Sequence, residues 1–170
     1  MIKTNLIDSN KYHPQLIIRD ILNIIKYNNR YTTSYLKLVK FISDDYPLHY
    51  AVLNNSEIRV EFLYSHDAQI NEKDVDGKTA LHEATYKNNR EIVELLILHG
   101  ANINEKDNNE KTALHEATYK NNREIVELLI LHGANINEKD NNGKTPLDVA
   151  TKYNSYEIVK LLISYGANIN

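Results

Sequence analysis

Lys78-Thr79-Ala80-Leu81-His82-Glu83-Ala84-Thr85-Tyr86-Lys87-Asn88-Asn89 is written again, 33 residues on, as Lys111-Thr112-Ala113-Leu114-His115-Glu116-Ala117-Thr118-Tyr119-Lys120-Asn121-Asn122. Residues 74–106 and 107–139 are nearly the same text, and only Val75, Asp76 and Gly77 change, to Asn108, Asn109 and Glu110. A further copy starts at Asp140 and carries Lys144-Thr145-Pro146-Leu147-Asp148. Upstream, Pro47-Leu48-His49-Tyr50-Ala51 fits the same slot in a worn copy, with Asn55-Ser56 at the matching stop. A fixed period of this length means a stacked array, because no unit of that size buries its apolar face alone.

The unit beginning at Asp74 reads as two helices and a projecting connection. Leu81 to Lys87 is a short helix with Thr79 as N-cap. Asn88 stops it, since asparagine tolerates the left-handed backbone that ends a helix. Asn89 then caps a second helix, Arg90 to His99, whose Ile92, Val93, Leu95, Leu96 and Ile97 form one broad apolar face. Gly100 ends that helix, and Ala101 to Lys106 runs extended into an Asp-x-x-Gly turn. Each repeat is expected to be helix, turn, helix and hairpin finger.

Composition narrows the function. The net charge of −3 supplies no global basic field for nucleic acid or anionic lipid. The chain has no cysteine, which removes disulfides and thiolate metal sites and suits a reducing compartment. No apolar run approaches the roughly 20 residues of a membrane span. These points place the expected location in the cytoplasm, with the nucleus also open.

Thr145-Pro146-Leu147 and Thr79-Ala80-Leu81-His82-Glu83-Ala84 resemble the T-P-L-H-x-A signature of ankyrin repeats. Ile92-Val93-Glu94-Leu95-Leu96 and Gly100-Ala101-Asn102-Ile103-Asn104 are similar to the family's second helix and its exit. The resemblance covers roughly residues 43–170. It implies an all-α ankyrin-repeat solenoid of helix-turn-helix units with β-hairpin fingers. Residues 1–42 do not match the repeat; Pro14 to Tyr27 and Thr33 to Ile42 read as a helical pair capping the stack. The expected organisation is a cap over 1–42, a degenerate repeat over 43–73, repeats over 74–106 and 107–139, and a C-terminal repeat over 140–170.

Departures from the pattern carry their own expectations. Asp67 replaces the glycine that ends the second helix, so that exit is strained or displaced. Arg59 takes the place of Ile92, which predicts a shifted buried face in the first repeat. Glu110 replaces the turn glycine at a cost of about 1 kcal/mol if the left-handed turn is kept. Asp148 stands in the histidine slot, so its hydrogen bonding must differ.

Candidate chemistry is sparse. His49, His82 and His115 recur at the repeat period, as do His66, His99 and His132, and no His-x3-His spacing puts two ligands on one helix face. The resemblance implies instead that the Thr-x-x-His histidines brace neighbouring loops. Glu83 and Glu116 are copies of one position, as are Glu91 and Glu124, whereas a catalytic site brings unlike groups together. No catalytic residue, cofactor or metal is expected.

The surface remains. The resemblance implies partner contacts at the finger tips, here Val75, Asp76 and Lys78, then Asn108, Asn109 and Lys111, then Asn141, Asn142 and Lys144. It also implies contacts on the concave face of the first helices: Leu53 and Asn54, Tyr86 and Lys87, Tyr119 and Lys120, Lys152 and Tyr153. Tyrosines offer contact area with a hydroxyl, and interleaved lysines favour an acidic or extended partner. The expected function is a non-catalytic protein–protein interaction module, a scaffold or adaptor. Two other readings are an inhibitor that occludes an enzyme and a spacer cut from a longer array. The uncapped end at Gly166-Ala167-Asn168-Ile169-Asn170 fits a fragment, whereas Lys160, Ser164 and Tyr165 suit a true terminus.

Overall fold

The computed structural model describes residues 46–169. The helices expected at 14–27 and 33–42 lie outside them. Among the described residues the chain forms eight helices in four pairs: α1 Pro47–Leu53 and α2 Glu57–Tyr64, α3 Ala80–Tyr86 and α4 Arg90–Leu98, α5 Ala113–Tyr119 and α6 Arg123–Leu131, α7 Pro146–Lys152 and α8 Tyr156–Ser164.

Local chemistry sets these bounds. Thr79, Thr112 and Thr145 open α3, α5 and α7 through reciprocal caps with the residue three positions on. Asn55, Asn88, Asn121 and Asn154 close the first helices in the left-handed region, at φ of 53°, 57°, 55° and 55°. Asn89 and Asn122 start α4 and α6 by accepting the N–H of Ile92 and Ile125.

Within each pair the two helices pack together, and like helices of successive repeats pack side by side. Ala80, Ala84, Ala113, Ala117 and Ala150 are fully buried, so the first helices approach closely. Ile92, Val93 and Leu96, with Ile125, Val126 and Leu129, complete one continuous core along the stack.

The worn first repeat departs less than its sequence suggests. Val60 and Leu63 are buried in the slots of Val93 and Leu96, and Arg59 is half-buried. The apolar face of α2 is therefore narrowed by Arg59 and not shifted. Asp67 keeps the exit where glycine puts it, at φ 65°, and bears the left-handed strain.

The expected β-hairpin fingers are not formed: among the described residues there is no strand. Each finger is a tight turn organised by an aspartate. Asp107 Oδ1 accepts the N–H groups of Asn109 and Lys111 at 2.8 and 2.9 Å, and Asp107 N–H reaches the Lys111 carbonyl at 2.9 Å. Asp74 and Asp140 repeat this arrangement. The side chain takes donors that a ladder would use. Successive tips then touch through single backbone bonds, Asn108 N–H to Asp76 O and Asn141 N–H to Asn109 O, both 3.0 Å. A strand pair needs a run of such bonds.

Candidate partner-binding trough

The histidines fix the turns against the helices. Thr79 N–H donates to His82 Nδ1 at 3.2 Å, which leaves the proton on Nε2, and Nε2 donates to the Lys111 carbonyl at 3.1 Å. His115 does the same between Thr112 and Lys144. Burial pushes both imidazoles below their usual 6.5, with the carbonyl bond opposing it. In the first repeat Tyr46 stands where the threonine is elsewhere. His49 Nε2 still lies 2.8 Å from the Lys78 carbonyl, but its buried Nδ1 has no hydrogen bond among the described residues. Asp148 accepts from Thr145 N–H and Oγ at 2.9 and 3.0 Å. A carboxylate has no donor with which to reach a carbonyl beyond.

With the turns anchored, the first helices of the second, third and fourth repeats line a trough of about 770 Å³. Tyr86, Tyr119 and Tyr153 line it, together with Lys111, Lys144, Lys152 and Asn142. One helix slot reaches back by a repeat. Lys120 lays its ammonium 3.7 Å from the centre of the Tyr86 ring. Tyr153, in that slot of the next repeat, meets Tyr119 edge-on, with centroids 5.1 Å apart at 83°. Lys152 lies 5.3 Å from the Tyr153 ring.

The other residues expected at the surface fall outside the trough. Leu53, Asn54 and Lys87 are exposed on α1 and after α3. Val75 is exposed, with its carbonyl holding Asn108 Nδ2 at 3.0 Å, and the carbonyls of Asp76 and Asn109 bind the next turn. Asn141 binds back to Asn109, and Lys78 pairs with Glu83 at 3.5 Å. Backbone groups thus join successive tips, while the side chains of Val75, Asp76, Asn109 and Asn141 stay exposed.

Glu116 was not among the expected contacts and lines the trough, 7% exposed. Among the described residues no donor hydrogen-bonds its carboxylate and no cation stands within 4 Å. Burial pushes its carboxyl above the usual 4.5, and Lys111 and Lys78 oppose this only in part. The signal was available, because residues three apart share a helix face and Glu116 is three before Tyr119. Asp148 and Asp140 also line the trough, but both carboxylates are committed to backbone N–H groups. Among the described residues no three His, Cys, Asp or Glu side chains group to hold a metal ion, and no helix is long and apolar enough to cross a membrane.

The sequence matches the family model described as ankyrin repeats (3 copies) over residues 20–107 and 97–170. No individual curated protein matches it.

Proposed function

The chain belongs to the ankyrin-repeat family, and on that premise we propose that it binds an extended acidic segment of a partner protein along its trough. It is a non-catalytic protein–protein interaction module. The observation that supports the binding mode is the convergence of Tyr86, Tyr119 and Tyr153 with Lys111, Lys144 and Lys152 on one concave surface. The tyrosines are between 38% and 48% exposed, enough to meet a partner while already held by their neighbours. A surface ordered before binding loses little conformational freedom on association. Lysines beside it steer a segment of opposite charge.

The test is fluorescence anisotropy with a labelled acidic peptide, Ac-Glu-Glu-Gly-Arg-Gly-Glu-Glu-amide. Tyr119→Ala and Lys152→Glu are each expected to weaken binding about tenfold, roughly 1.4 kcal/mol. Leu98→Ala, on exposed surface of α4 outside the trough, is the control and leaves affinity unchanged. Equal affinity for all four proteins removes the trough from consideration.

A further inference from the structure

We infer that the trough holds an arginine side chain of the bound segment against Glu116. The inference rests on the trough being the binding surface, and it adds a cationic anchor to an otherwise acidic ligand.

The lysines of the trough and the carboxylate of Glu116 differ in burial. Lys144 and Lys152 are exposed and Lys111 half-exposed, so their ammonium groups remain hydrated at the rim. Glu116 is 7% exposed as a residue, its carboxylate oxygens open to the trough, and among the described residues nothing hydrogen-bonds them. A carboxylate largely stripped of water on its protein side and open on the other gains from a cation that a ligand brings. The equivalent Glu83 has no such opening, because Lys78 already stands 3.5 Å from it. Asp140 and Asp148 are occupied by turn and cap hydrogen bonds. Glu116 is therefore the carboxylate of the trough that a partner's cation reaches with most to gain.

Arginine suits the place better than lysine. Its guanidinium forks onto both carboxylate oxygens, and its flat face lies on an aromatic ring. Tyr119 is on the same face of α5 as Glu116, and Tyr153 stands against it. Lys120 already covers Tyr86 and Lys152 lies 5.3 Å from the Tyr153 ring, which leaves the face of Tyr119 to the guanidinium. Flanking acidic residues of the ligand then meet Lys111, Lys144 and Lys152.

The peptide above is compared with a version carrying citrulline, the neutral isostere, in place of arginine, on the intact chain and on Glu116→Gln. Citrulline is expected to weaken binding to the native chain about tenfold and to make no difference to Glu116→Gln. Equal binding of both peptides to the native chain overturns the anchor and leaves the acidic-segment reading standing. A second measurement is independent of that reading: N-acetylarginine amide is titrated into the chain and followed by 1H–15N NMR. Amides of Glu116, Tyr119 and Tyr153 shift in the native chain, stay still in Glu116→Gln, and stay still with N-acetylcitrulline amide. Such shifts with no peptide binding keep the arginine site and remove the acidic segment. Equal shifts in Glu116→Gln remove the site itself.

Discussion

Residues 78–106 and 111–139 are identical letter for letter, and they fold alike, yet the equivalent glutamates Glu83 and Glu116 have different surroundings. Lys78 lies 3.5 Å from Glu83, whereas among the described residues no cation comes within 4 Å of Glu116. The difference comes from neighbours. The second repeat follows one that presents Leu53 where the third meets Tyr86, and the fourth repeat brings Val149, Lys152 and Tyr153 against the third. In a stacked array a copied sequence is placed in uncopied contexts. Buried contacts recur even across repeats, as His82 to the Lys111 carbonyl and His115 to the Lys144 carbonyl, both 3.1 Å, whereas contacts of long side chains at the surface diverge even within one repeat.

The core is where equivalence is expected to hold. Leu96 and Leu129 are both fully buried in the same slot. Truncating either to alanine removes buried methyl groups and leaves a cavity, at about 2–5 kcal/mol. Because their surroundings are copies, the two losses should agree within about 0.5 kcal/mol in urea unfolding. A twofold disparity between them breaks the claim that inward-facing slots are interchangeable.

The finger tips are expected to diverge next. Gly77 has φ 74°, and a Cβ added there would lie 2.3 Å from Asn108 Oδ1 and 2.8 Å from Asn108 N. The asparagine side chain can turn away, but the backbone nitrogen belongs to the next turn. Gly77→Ala should cost about 2–3 kcal/mol, combining left-handed strain with that clash. Glu110 occupies the same slot at φ 61° and carries the strain natively. Relief of about 1–2 kcal/mol in Glu110→Gly is offset by about 0.5–1 kcal/mol of extra chain entropy, leaving a small net gain. The exposed contact of Glu110 with Lys106 subtracts little, since Lys106 keeps Glu138 at 2.7 Å. Thermal unfolding reads both: a rise for the first substitution or a fall for the second contradicts this account of the tips.

Legibility depends on how far along the chain a contact reaches. The paired asparagines, the threonine caps and the apolar face of Ile92, Val93 and Leu96 act inside one repeat, so local text sufficed to place α3 to α6 within a residue or so. The bracing role of His82 was legible only through the family resemblance, because its second partner is the Lys111 carbonyl of the next repeat. The finger was misread as a hairpin because the text gives the turn but not where Asp107 Oδ1 spends itself. The tyrosine ladder was visible as spacing. That Lys120 reaches back to Tyr86 while Tyr153 meets Tyr119 depends on how far one repeat is rotated on the next, which no residue in the repeat encodes alone. Glu116 was passed over for the same reason: as text it is indistinguishable from Glu83.

That pair gives the smallest and most direct test. Glu116→Gln removes a partly desolvated charge and keeps the side-chain shape, so it should raise stability by up to about 1 kcal/mol at pH 7. Glu83→Gln breaks a contact with Lys78 and should lower it by less than about 1 kcal/mol. The pH dependence fixes the cause. The carboxyl of Glu116 is raised above 4.5 in the folded chain, so the folded state holds that proton more tightly than the unfolded state. Its contribution to stability is fully present below 4.5 and is lost as pH rises through the raised value. The advantage of Glu116→Gln should therefore be present at pH 7 and vanish by pH 4. His82 and His115, lowered from 6.5, contribute stability that is present above 6.5 and lost as pH falls through their lowered values. They are common to both proteins and drop out of the difference. An advantage that persists unchanged at pH 4 would locate the gain in packing, and the contrast between the two glutamates would no longer be one of charge.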